Sequence, residues 1–272
     1  EISVDTSYTP LHRRGYRFAS GKAPLREDIA YGLLYSLGWG RGGLNNDEID
    51  LSLGTTTATH MVDPFCGSGT ILIEGASMRL GLPPGRLRDA PFEHSRLYNR
   101  RRWNRMIKSS IADSEKTLES IYKYDHEHGH GGHTRSFILG SDRDAGVIQS
   151  AKENIERAGV THVIDLDCCA ISSNRWFQNP SSLSNVLVAT NPPYGRRLSP
   201  SREGRKIHPL LPLYQTLGKM DEYALDYGIV AHDVSLSRKS GVHGLSALFT
   251  TKHGGLTVCA LGTSKPNLFD AS

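Results

Sequence analysis

The sequence predicts an α/β fold in which a doubly wound, mostly parallel β-sheet is closed by an antiparallel C-terminal hairpin. Apolar, strand-like segments alternate with helical patterns along most of the chain, which implies parallel strands joined by right-handed crossovers. A glycine turn joins the first strand to the next helix. Near the C-terminus, two strand-like segments are separated by too few residues for a parallel connection. At 272 residues, the chain fits one large domain.

The predicted elements follow one another in a regular order. The segment 23–37 has apolar residues at helical spacing, with Pro24 suited to a first turn and Gly38 to a stop. The segment 41–57 is polar and aperiodic, so we expect a surface loop. A strand at 59–62 and a helix through 71–80 flank the glycine turn. The other predicted elements are strands at 136–140, 163–167, 186–190 and 228–231, helices at 145–158 and 210–223, and hairpin strands at 247–251 and 256–261.

Composition narrows the class of protein. Hydrophobic residues make up 38% and charged residues 22%, which allows a substantial core and excludes wholesale disorder. No apolar run reaches the roughly 18 residues that a membrane span needs. The net charge of +4 permits a polyanionic partner without requiring one. The four cysteines form no Cys-x-x-Cys pair, so we expect neither disulfides nor zinc, and an intracellular location.

An insert at about 86–135 interrupts the alternation. Its first part, 86–124, is compatible with a helix and contains a basic cluster at 100–105, for which a solvated face and an RNA contact are equally good interpretations. Its second part, 125–134, is rich in Gly and His and is predicted to be a mobile loop. No metal site is predicted there, because no fixed scaffold holds the histidines.

The first chemical motif is the glycine turn. Gly67 and Gly69 let the backbone turn tightly after a buried strand and approach a ligand, while the helix that follows offers unpaired N–H groups. A packing turn is the alternative. Asp63 argues against a phosphate ligand and suits a cation such as the ammonium group of S-adenosylmethionine. The predicted cofactor-binding residues of this motif are Asp63, Pro64, Cys66, Gly67, Ser68, Gly69 and Thr70.

The second motif is the acid that ends the strand at 136–140. The two carboxylate oxygens of Asp142 can accept hydrogen bonds from both hydroxyls of a ribose, and Arg143 is predicted beside the cofactor. The alternative role for Asp142 is the N-cap of the next helix, for which Asp144 is equally suitable.

The third motif is Asn191-Pro192-Pro193-Tyr194, directly after an apolar strand. Both prolines lack an N–H donor, so this backbone presents carbonyl groups. The Asn191 side-chain oxygen and the Pro192 carbonyl are predicted to hold both hydrogens of an exocyclic amine and to aim its lone pair at a sulfonium methyl group. Tyr194 is predicted to stack on the base, and Asn191 also lies beside the cofactor. An ordinary proline turn is the alternative.

Taken together, the chain resembles the methyltransferase domain of the THUMP-associated RNA guanine-N2 methyltransferases. The resemblance rests on the three motifs and on the more specific segments 11–17 (LHRRGYR), 23–27 (APLRE) and 140–144 (GSDRD). It implies a class I, seven-stranded methyltransferase sheet at 41–272, with an extension at 1–40 whose helix lies near the cofactor. It also implies cofactor contacts at Pro24 and Leu25.

The resemblance further implies a product, N2-methylguanosine in ribosomal or transfer RNA, and no metal. The family usually has an acid after the third strand for the cofactor adenine, where this chain has Cys169 and Ala170, with Asp167 a few residues early. The THUMP module is absent from this sequence, so an upstream RNA-binding domain or a partner subunit is expected. Further candidates for RNA contact are Arg13, Arg14, Arg17, Arg196 and Arg197.

Two other functions remain open at this point. The Asn-Pro-Pro-Tyr motif also suits methylation of adenine N6 in DNA, although the chain has little spare length for a target-recognition domain. A non-catalytic RNA-binding or assembly subunit that keeps the fold is the second alternative, and the complete set of motifs argues against it.

Overall fold

The computed structural model describes residues 9–17, 24–40, 56, 58–90, 93–96, 98–127, 137–179, 185–194 and 208–263. Its strands are β1 (His60–Asp63), β2 (Ile138–Asp142), β3 (Ile164–Cys168), β4 (Val186–Thr190), β5 (Ala224–Ala231), β6 (Ser246–His253) and β7 (Leu256–Gly262). Its helices are α1 (Glu27–Ser36), α2 (Thr70–Arg79), α3 (Arg100–Glu127), α4 (Ala145–Ala158), α5 (Arg175–Gln178), α6 (Leu211–Gly218) and α7 (Val234–Arg238). Short 3-10 helices lie at Thr161–Val163 and Ile171–Ser173.

The seven strands form one sheet in the order β3-β2-β1-β4-β5-β7-β6. The first five strands pair in parallel, whereas β7 pairs antiparallel with both β5 and β6. This arrangement confirms the predicted doubly wound sheet with a C-terminal hairpin. The order reverses between β1 and β4, because β2 and β3 continue on one side of β1 and β5 continues on the other.

Each face of the sheet carries its own hydrophobic core, since successive residues of a strand point to opposite faces. Met61 packs in one core and its neighbour Val62 in the other, and Ile138 and Leu139 divide in the same way. Buried side chains of α1, α2 and α4 belong to the first core, and those of α5 and α6 to the second. Because both faces are covered, β1, β2 and β4 carry apolar residues on both faces, and their polar residues lie mainly at the strand ends.

Helix α4 has the bounds that the sequence predicts, because both of its ends are specified locally. The Asp144 carboxylate accepts hydrogen bonds from the backbone N–H groups of Gly146 (2.9 Å) and Val147 (3.2 Å). At the other end, Gly159 has φ +70°, the left-handed conformation that closes a helix without steric cost.

Other bounds differ from the prediction. Helix α1 begins at Glu27, four residues later than predicted, and its buried side chains pack in the first core. The division of the chain into an extension and a domain at residue 40 stays a prediction. Helix α6 ends at Gly218, because the chain turns at Met220, whose carbonyl accepts hydrogen bonds from the backbone N–H groups of Tyr223 and Ala224. Strand β5 begins directly after this turn, at Ala224, and is longer than predicted. Helix α3 begins at Arg100 rather than near residue 86 and continues to Glu127. The first residues of the predicted mobile loop are therefore helical, and the remainder of that loop lies outside the described residues.

The N-terminal segment 9–17 is fixed against α2. Arg14 Nε lies 3.5 Å from Glu74 Oε2, and the Tyr16 hydroxyl donates to Glu74 Oε1 at 3.2 Å. Arg17 lies 3.7 Å from Glu27. Arg14 and Arg17 therefore contact carboxylates of the protein, whereas Arg13 is exposed. RNA contact at these three arginines stays a prediction. In the described part of the chain, no helix is long and apolar enough to cross a membrane.

Candidate active site

The predicted motifs meet at the edge of the sheet where the parallel strands have their carboxyl ends. Asp63 ends β1, Asp142 ends β2, and Asn191 directly follows β4. The strand order reverses between β1 and β4. Crossovers on either side of such a reversal diverge and leave a crevice, the usual ligand site of an open parallel sheet. The sequence predicts that Asp63, Asp142 and Asn191 each lie at the end of a strand. The strand order brings these three strand ends to one crevice.

Asp63 lies across this reversal from the last residue of β4. The Thr190 hydroxyl donates to Asp63 Oδ1 at 2.6 Å, and the Phe65 backbone N–H donates to the same oxygen at 3.1 Å. The second oxygen, Oδ2, is buried and has no hydrogen-bond partner among the described residues. Burial raises the pKa of Asp63 from 3.8 to about 7, although the two hydrogen bonds oppose that rise. A buried acceptor oxygen without a donor is suited to a cationic group, such as the ammonium of S-adenosylmethionine.

The glycine turn has the backbone that its sequence requires. Gly67 and Gly69 have φ +53° and φ +84°, which residues with side chains seldom adopt, and Gly69 precedes α2 directly. The Gly69 N–H donates to the Cys66 carbonyl at 2.8 Å and closes the turn. A side chain at Gly67 would meet nothing nearer than 4.0 Å, so the turn is open to a ligand on that side. Cys66 is buried, and burial raises its thiol pKa, which fits packing rather than nucleophilic chemistry.

The structure separates the two possible roles of Asp142. Asp144 caps α4, as described above, so Asp142 is not the N-cap. Instead, Asp142 Oδ2 accepts from the Gly67 N–H at 3.3 Å, and Oδ1 accepts from the Asp144 N–H at 3.0 Å. The carboxylate is therefore fixed beside the glycine turn and partly exposed, the position that a ribose clamp needs. Arg143 is exposed.

The end of β3 supplies the third wall of the crevice. The Cys169 N–H donates to the Asp142 carbonyl at 3.0 Å, so Cys169 lies next to the predicted ribose acid. Ala170 follows and precedes the second 3-10 helix. Asp167 lies 3.3 Å from Arg175 Nε, and the same arginine donates to Asp165 at 2.7 Å. Asp167 is thus already paired, and Cys169 and Ala170 remain the candidates for the adenine contact.

The Asn-Pro-Pro-Tyr motif leaves the sheet at the centre of the crevice. Asn191 is half-buried, Pro192 is buried, and Pro193 is exposed. The Tyr194 hydroxyl donates to Asn191 Oδ1, a contact that the sequence did not predict. Burial raises the pKa of Tyr194, so this hydroxyl stays protonated and remains a donor. The bond orients the Asn191 amide and leaves the second lone pair of its oxygen available.

His232 lies beside the candidate site and was not predicted from the sequence. It directly follows β5, the strand that pairs with β4, and its ring lies 6.3 Å from the Tyr194 ring at an angle of 57°. Its Nδ1 lies 2.8 Å from the Thr257 carbonyl, so Nδ1 carries the proton and Nε2 is directed elsewhere. His232 could have been predicted from its position, because it is a polar aromatic residue directly after β5, the strand that pairs with β4.

Two further predicted cofactor residues lie close to the glycine turn. Arg17 donates to the Leu25 carbonyl at 3.1 Å and also to the Thr70 hydroxyl. Leu25 is buried, and Pro24 precedes it. One arginine thus connects the segment before α1 to the first residue of α2.

Among the described residues, no group of three or more His, Cys, Asp or Glu could hold a metal ion. The histidines at 128, 130 and 133, together with Arg196 and Arg197, lie outside the part of the chain that the structure describes.

Curated relatives of this chain are named as methyltransferases. Ribosomal RNA large subunit methyltransferase K/L from Marinomonas sp. is 34% identical over 219 residues, and that from Shewanella pealeana is 34% identical over 230 residues. These matches cover 80% and 84% of this chain but 26% of each relative, so the chain spans about a quarter of their length.

Solved structures show the same fold. A possible methylase from Clostridium difficile 630 is similar with a TM-score of 0.61 and 25% identity over 94% of this chain and 56% of its own. SMU.472, a putative methyltransferase in complex with SAH, has a TM-score of 0.60 and 22% identity over 93% of this chain and 55% of its own, which shows the fold alone. Residues 51–220, well over half of the chain, match the UPF0020 family model, described as RMKL-like, methyltransferase domain. The chain therefore belongs to the RMKL-like methyltransferase domain family.

Proposed function

We propose that this chain transfers the methyl group of S-adenosylmethionine to the exocyclic N2 amine of a guanosine in RNA. The observation that carries the proposal is the position of Asn191 and Tyr194, which meet the glycine turn and the unpartnered oxygen of Asp63 in one crevice. A crevice with a cation-binding acid at one end and amine acceptors at the other can hold both reactants.

The cofactor residues each bind a different part of S-adenosylmethionine. Asp63 Oδ2 accepts from the ammonium group, and the carboxylate of Asp142 accepts from the ribose hydroxyls. Gly67 and Gly69 have no side chains, so the cofactor can approach their backbone closely. Cys169 and Ala170 border the adenine. When bound, S-adenosylmethionine supplies a methyl group on a positively charged sulfur, which is the electrophile of the reaction.

The acceptor residues prepare the amine. The lone pair of an exocyclic amine is delocalised into the base, so the amine is a poor nucleophile. Asn191 Oδ1 and the Pro192 carbonyl accept one hydrogen each, favour a pyramidal nitrogen and direct its lone pair. Tyr194 positions Asn191 through its hydroxyl and stacks on the base with its ring, and His232 borders the base on the β5 side. The product amine is cationic before it loses its proton, so no strong general base is required.

RNA is favoured as the substrate by the relatives, which are named as ribosomal RNA methyltransferases and match more than three quarters of this chain. A second candidate is adenine N6 in DNA, because a predicted N6-adenine-specific DNA methylase from Listeria monocytogenes is similar with a TM-score of 0.56 and 25% identity. An RNA substrate implies an intracellular location. An upstream RNA-binding domain or partner subunit stays a prediction.

The test is methylation of total RNA and of DNA with S-adenosylmethionine that carries a labelled methyl group, followed by mass spectrometry of the nucleosides. We expect label in N2-methylguanosine from RNA. Asn191→Ala should reduce the rate at least about a hundredfold, as removal of one key donor or acceptor typically does. Its affinity for S-adenosylmethionine, measured by calorimetry, should fall much less than the rate, because Asn191 is only one of several residues beside the cofactor.

Label in N6-methyladenine from DNA would replace the proposal with the second candidate. Cofactor binding without transfer to either nucleic acid, in this chain and in a longer protein that contains it, would indicate a non-catalytic subunit. Undetectable cofactor binding would contradict the proposal altogether.

A further inference from the structure

The surface cleft beside the first turns of α3 is built from residues that the active site does not use. One wall is formed by residues of 86–90 together with Glu93 and His94, and the other by Tyr98 and one face of α3. We call this surface the α3 cleft; its volume is about 750 Å³. Its lining includes Arg86, Glu93, Tyr98, Arg100, Trp103 and Lys108.

The charge around the cleft is mostly positive. Between residues 94 and 112 the sequence has six arginines and lysines and no aspartate or glutamate. All six are exposed, and among the described residues none of their side chains forms an ion pair or a hydrogen bond. They are Arg96, Arg100, Arg101, Arg102, Arg105 and Lys108. Two acids, Asp89 and Glu93, line the opposite wall, and Glu93 is 3.3 Å from His94. The cations therefore outnumber the acids at the cleft.

The position of these cations in the helix adds to their effect. Three consecutive arginines occupy the first turn of α3, which has no acidic residue. The N-terminus of a helix already carries partial positive charge, so cations there are unfavourable unless an anion approaches. A first turn of this kind attracts a polyanion and is of little use to the stability of the helix.

Aromatic side chains give the cleft a second property. Tyr98 and Trp103 are half-buried in its lining, beside Ile107. Unpaired nucleic-acid bases stack on such side chains, while cations around them contact the phosphates. An aromatic floor with a cationic rim suits an unpaired stretch of RNA better than a duplex, whose bases are not available for stacking.

The cleft is separate from the active site. Arg86, in its lining, donates to the carbonyl of Ala158 at 2.7 Å, at the C-terminal end of α4. Helix α4 begins just after Asp142, at the active-site edge of the sheet, and has 14 residues. At 1.5 Å per residue, the helix places its far end roughly 20 Å from that edge. Further along α3, Ile121 packs in the first core and the Tyr122 hydroxyl donates to the His162 carbonyl, which anchors the helix.

We propose that the α3 cleft binds an unpaired stretch of the substrate RNA at a distance from the methylated nucleotide. The inference rests on the proposed function for the identity of the nucleic acid. The cleft supplies affinity, through phosphates and stacked bases, and takes no part in methyl transfer. It gives the insert a role that neither the cofactor nor the target base requires.

Trp103 is a direct probe of the cleft. The other two tryptophans, Trp39 and Trp176, are buried in the two cores. Single-stranded oligouridylate should therefore quench fluorescence of the wild-type protein, and Trp103→Phe should abolish the quenching. Affinity itself is measured by the fluorescence anisotropy of a dye-labelled oligouridylate, which does not depend on tryptophan. Trp103→Phe keeps a ring for stacking and should bind within about threefold of wild type, whereas Trp103→Ala should bind at least about fivefold more weakly.

Charge reversal tests the phosphate contacts. Arg100→Glu with Lys108→Glu should weaken oligouridylate binding at least about tenfold and reduce the slope of log K against log salt by about 1.4, since each lost contact to a single strand contributes about 0.7. The matched control is Lys116→Glu with Lys152→Glu, which changes the net charge equally at exposed positions outside the cleft. The control should keep the wild-type slope.

Equal losses of oligouridylate affinity in the two double variants, or no loss of affinity in either, would overturn the proposal. So would an absence of quenching by both oligouridylate and protein-free ribosomal RNA, which would favour an acidic protein partner for the cleft. Calorimetry with S-adenosylmethionine on every variant keeps the two proposals apart. If oligouridylate quenches the fluorescence of the wild-type protein but S-adenosylmethionine does not bind, the proposed function fails, whereas RNA binding by the α3 cleft is upheld.

Discussion

Replacement of the buried acid at the end of β1 should stabilise the protein while it weakens cofactor binding. Asp63 is 1% exposed, and one of its two oxygens has no partner. Asp63→Asn keeps an oxygen that can accept from Thr190 and Phe65, and it places a neutral NH2 group where the unpartnered oxygen lies. The variant therefore removes a buried charge with little change of shape.

The magnitude follows from the pKa of Asp63, 3.8 in the unfolded chain and about 7 in the folded protein. At pH 8 the carboxyl is ionised in both states, and a difference of about 3 pH units corresponds to about 4 kcal/mol of lost stability. An unsatisfied buried NH2 group costs about 1–3 kcal/mol in the variant. Asp63→Asn should therefore be more stable than wild type at pH 8 by about 1–3 kcal/mol.

The sign of the pH dependence is fixed by the raised pKa. Below pH 3.8 the carboxyl is protonated in both the folded and the unfolded state, so its burial costs no ionisation energy. As the pH rises from 3.8 to about 7, the free energy of unfolding of the wild-type protein falls. Because Asn does not titrate, the advantage of the variant should shrink by about 2–3 kcal/mol between pH 8 and pH 5. Buried Glu74, whose pKa burial also raises to about 7, titrates in both proteins and cancels in the difference.

Guanidinium unfolding of both proteins at pH 5 and pH 8 measures this difference. The control is Asp144→Asn, the same chemical change at an exposed cap, where Asn is an equally good N-cap. The control should show no comparable pH-dependent advantage. A variant that is less stable than wild type by the same amount at both pH values would refute the reasoning, because Asp63 would then not ionise against its burial.

The same ionisation should appear when the cofactor binds. At pH 6 the carboxyl of Asp63 is mostly protonated, and a cationic ligand favours its ionised form, so binding should release close to one proton. At pH 8 the release should vanish, and an α-amino group with an ordinary pKa of about 7.7–8.0 should instead take up a proton. Calorimetry in buffers of different ionisation enthalpy measures both numbers. Asp63→Asn should bind at least about tenfold more weakly and release none.

Three further predictions concern the sheet and the acceptor residues. Gly140→Ala would place a Cβ 2.3 Å from Leu72 Cδ1, so the free energy of unfolding should fall by about 1–3 kcal/mol in chemical denaturation. Tyr194→Phe keeps the ring but releases the Asn191 amide, so kcat should fall about 2- to 10-fold with KM for RNA within about twofold. His232→Ala should raise KM for RNA about fivefold or more and leave cofactor affinity unchanged; a loss confined to kcat would contradict a role beside the base.

Much of the fold could be predicted because its signals are local. The apolar segments and the glycine turn specify the parallel strands. Asp144 and Gly159 specify both ends of α4. Helices α5 and α7, with four and five residues, were missed because one turn of helix is too short to show a helical period. Their caps, Asn174 and Asp233, were the signals available.

The site was predictable as a set of residues, but its contacts were not. Each motif ends a strand, and the ends of parallel strands meet at one edge, so the sequence analysis named residues that the fold brings together. The Tyr194–Asn191 bond and the neighbourhood of His232 depend on side-chain packing between strands, which no spacing along the chain reveals. Arg14 and Arg17 illustrate the same limit, because their carboxylate partners lie on distant elements.

The hydrogen bond between Thr190 and Asp63 joins the two halves of the proposed reaction. Asp63 ends β1 and is the proposed ligand of the cofactor, and Thr190 immediately precedes Asn191, the proposed ligand of the methyl acceptor. The 2.6 Å bond therefore fixes the two strand ends relative to each other before either ligand arrives. A charged ligand at the free oxygen of Asp63 makes this carboxylate a stronger acceptor for the Thr190 hydroxyl, since hydrogen bonds to ionised groups are stronger than neutral ones. Cofactor binding should accordingly hold Asn191 more firmly, so the cofactor orders the residue that must aim the amine at its methyl group.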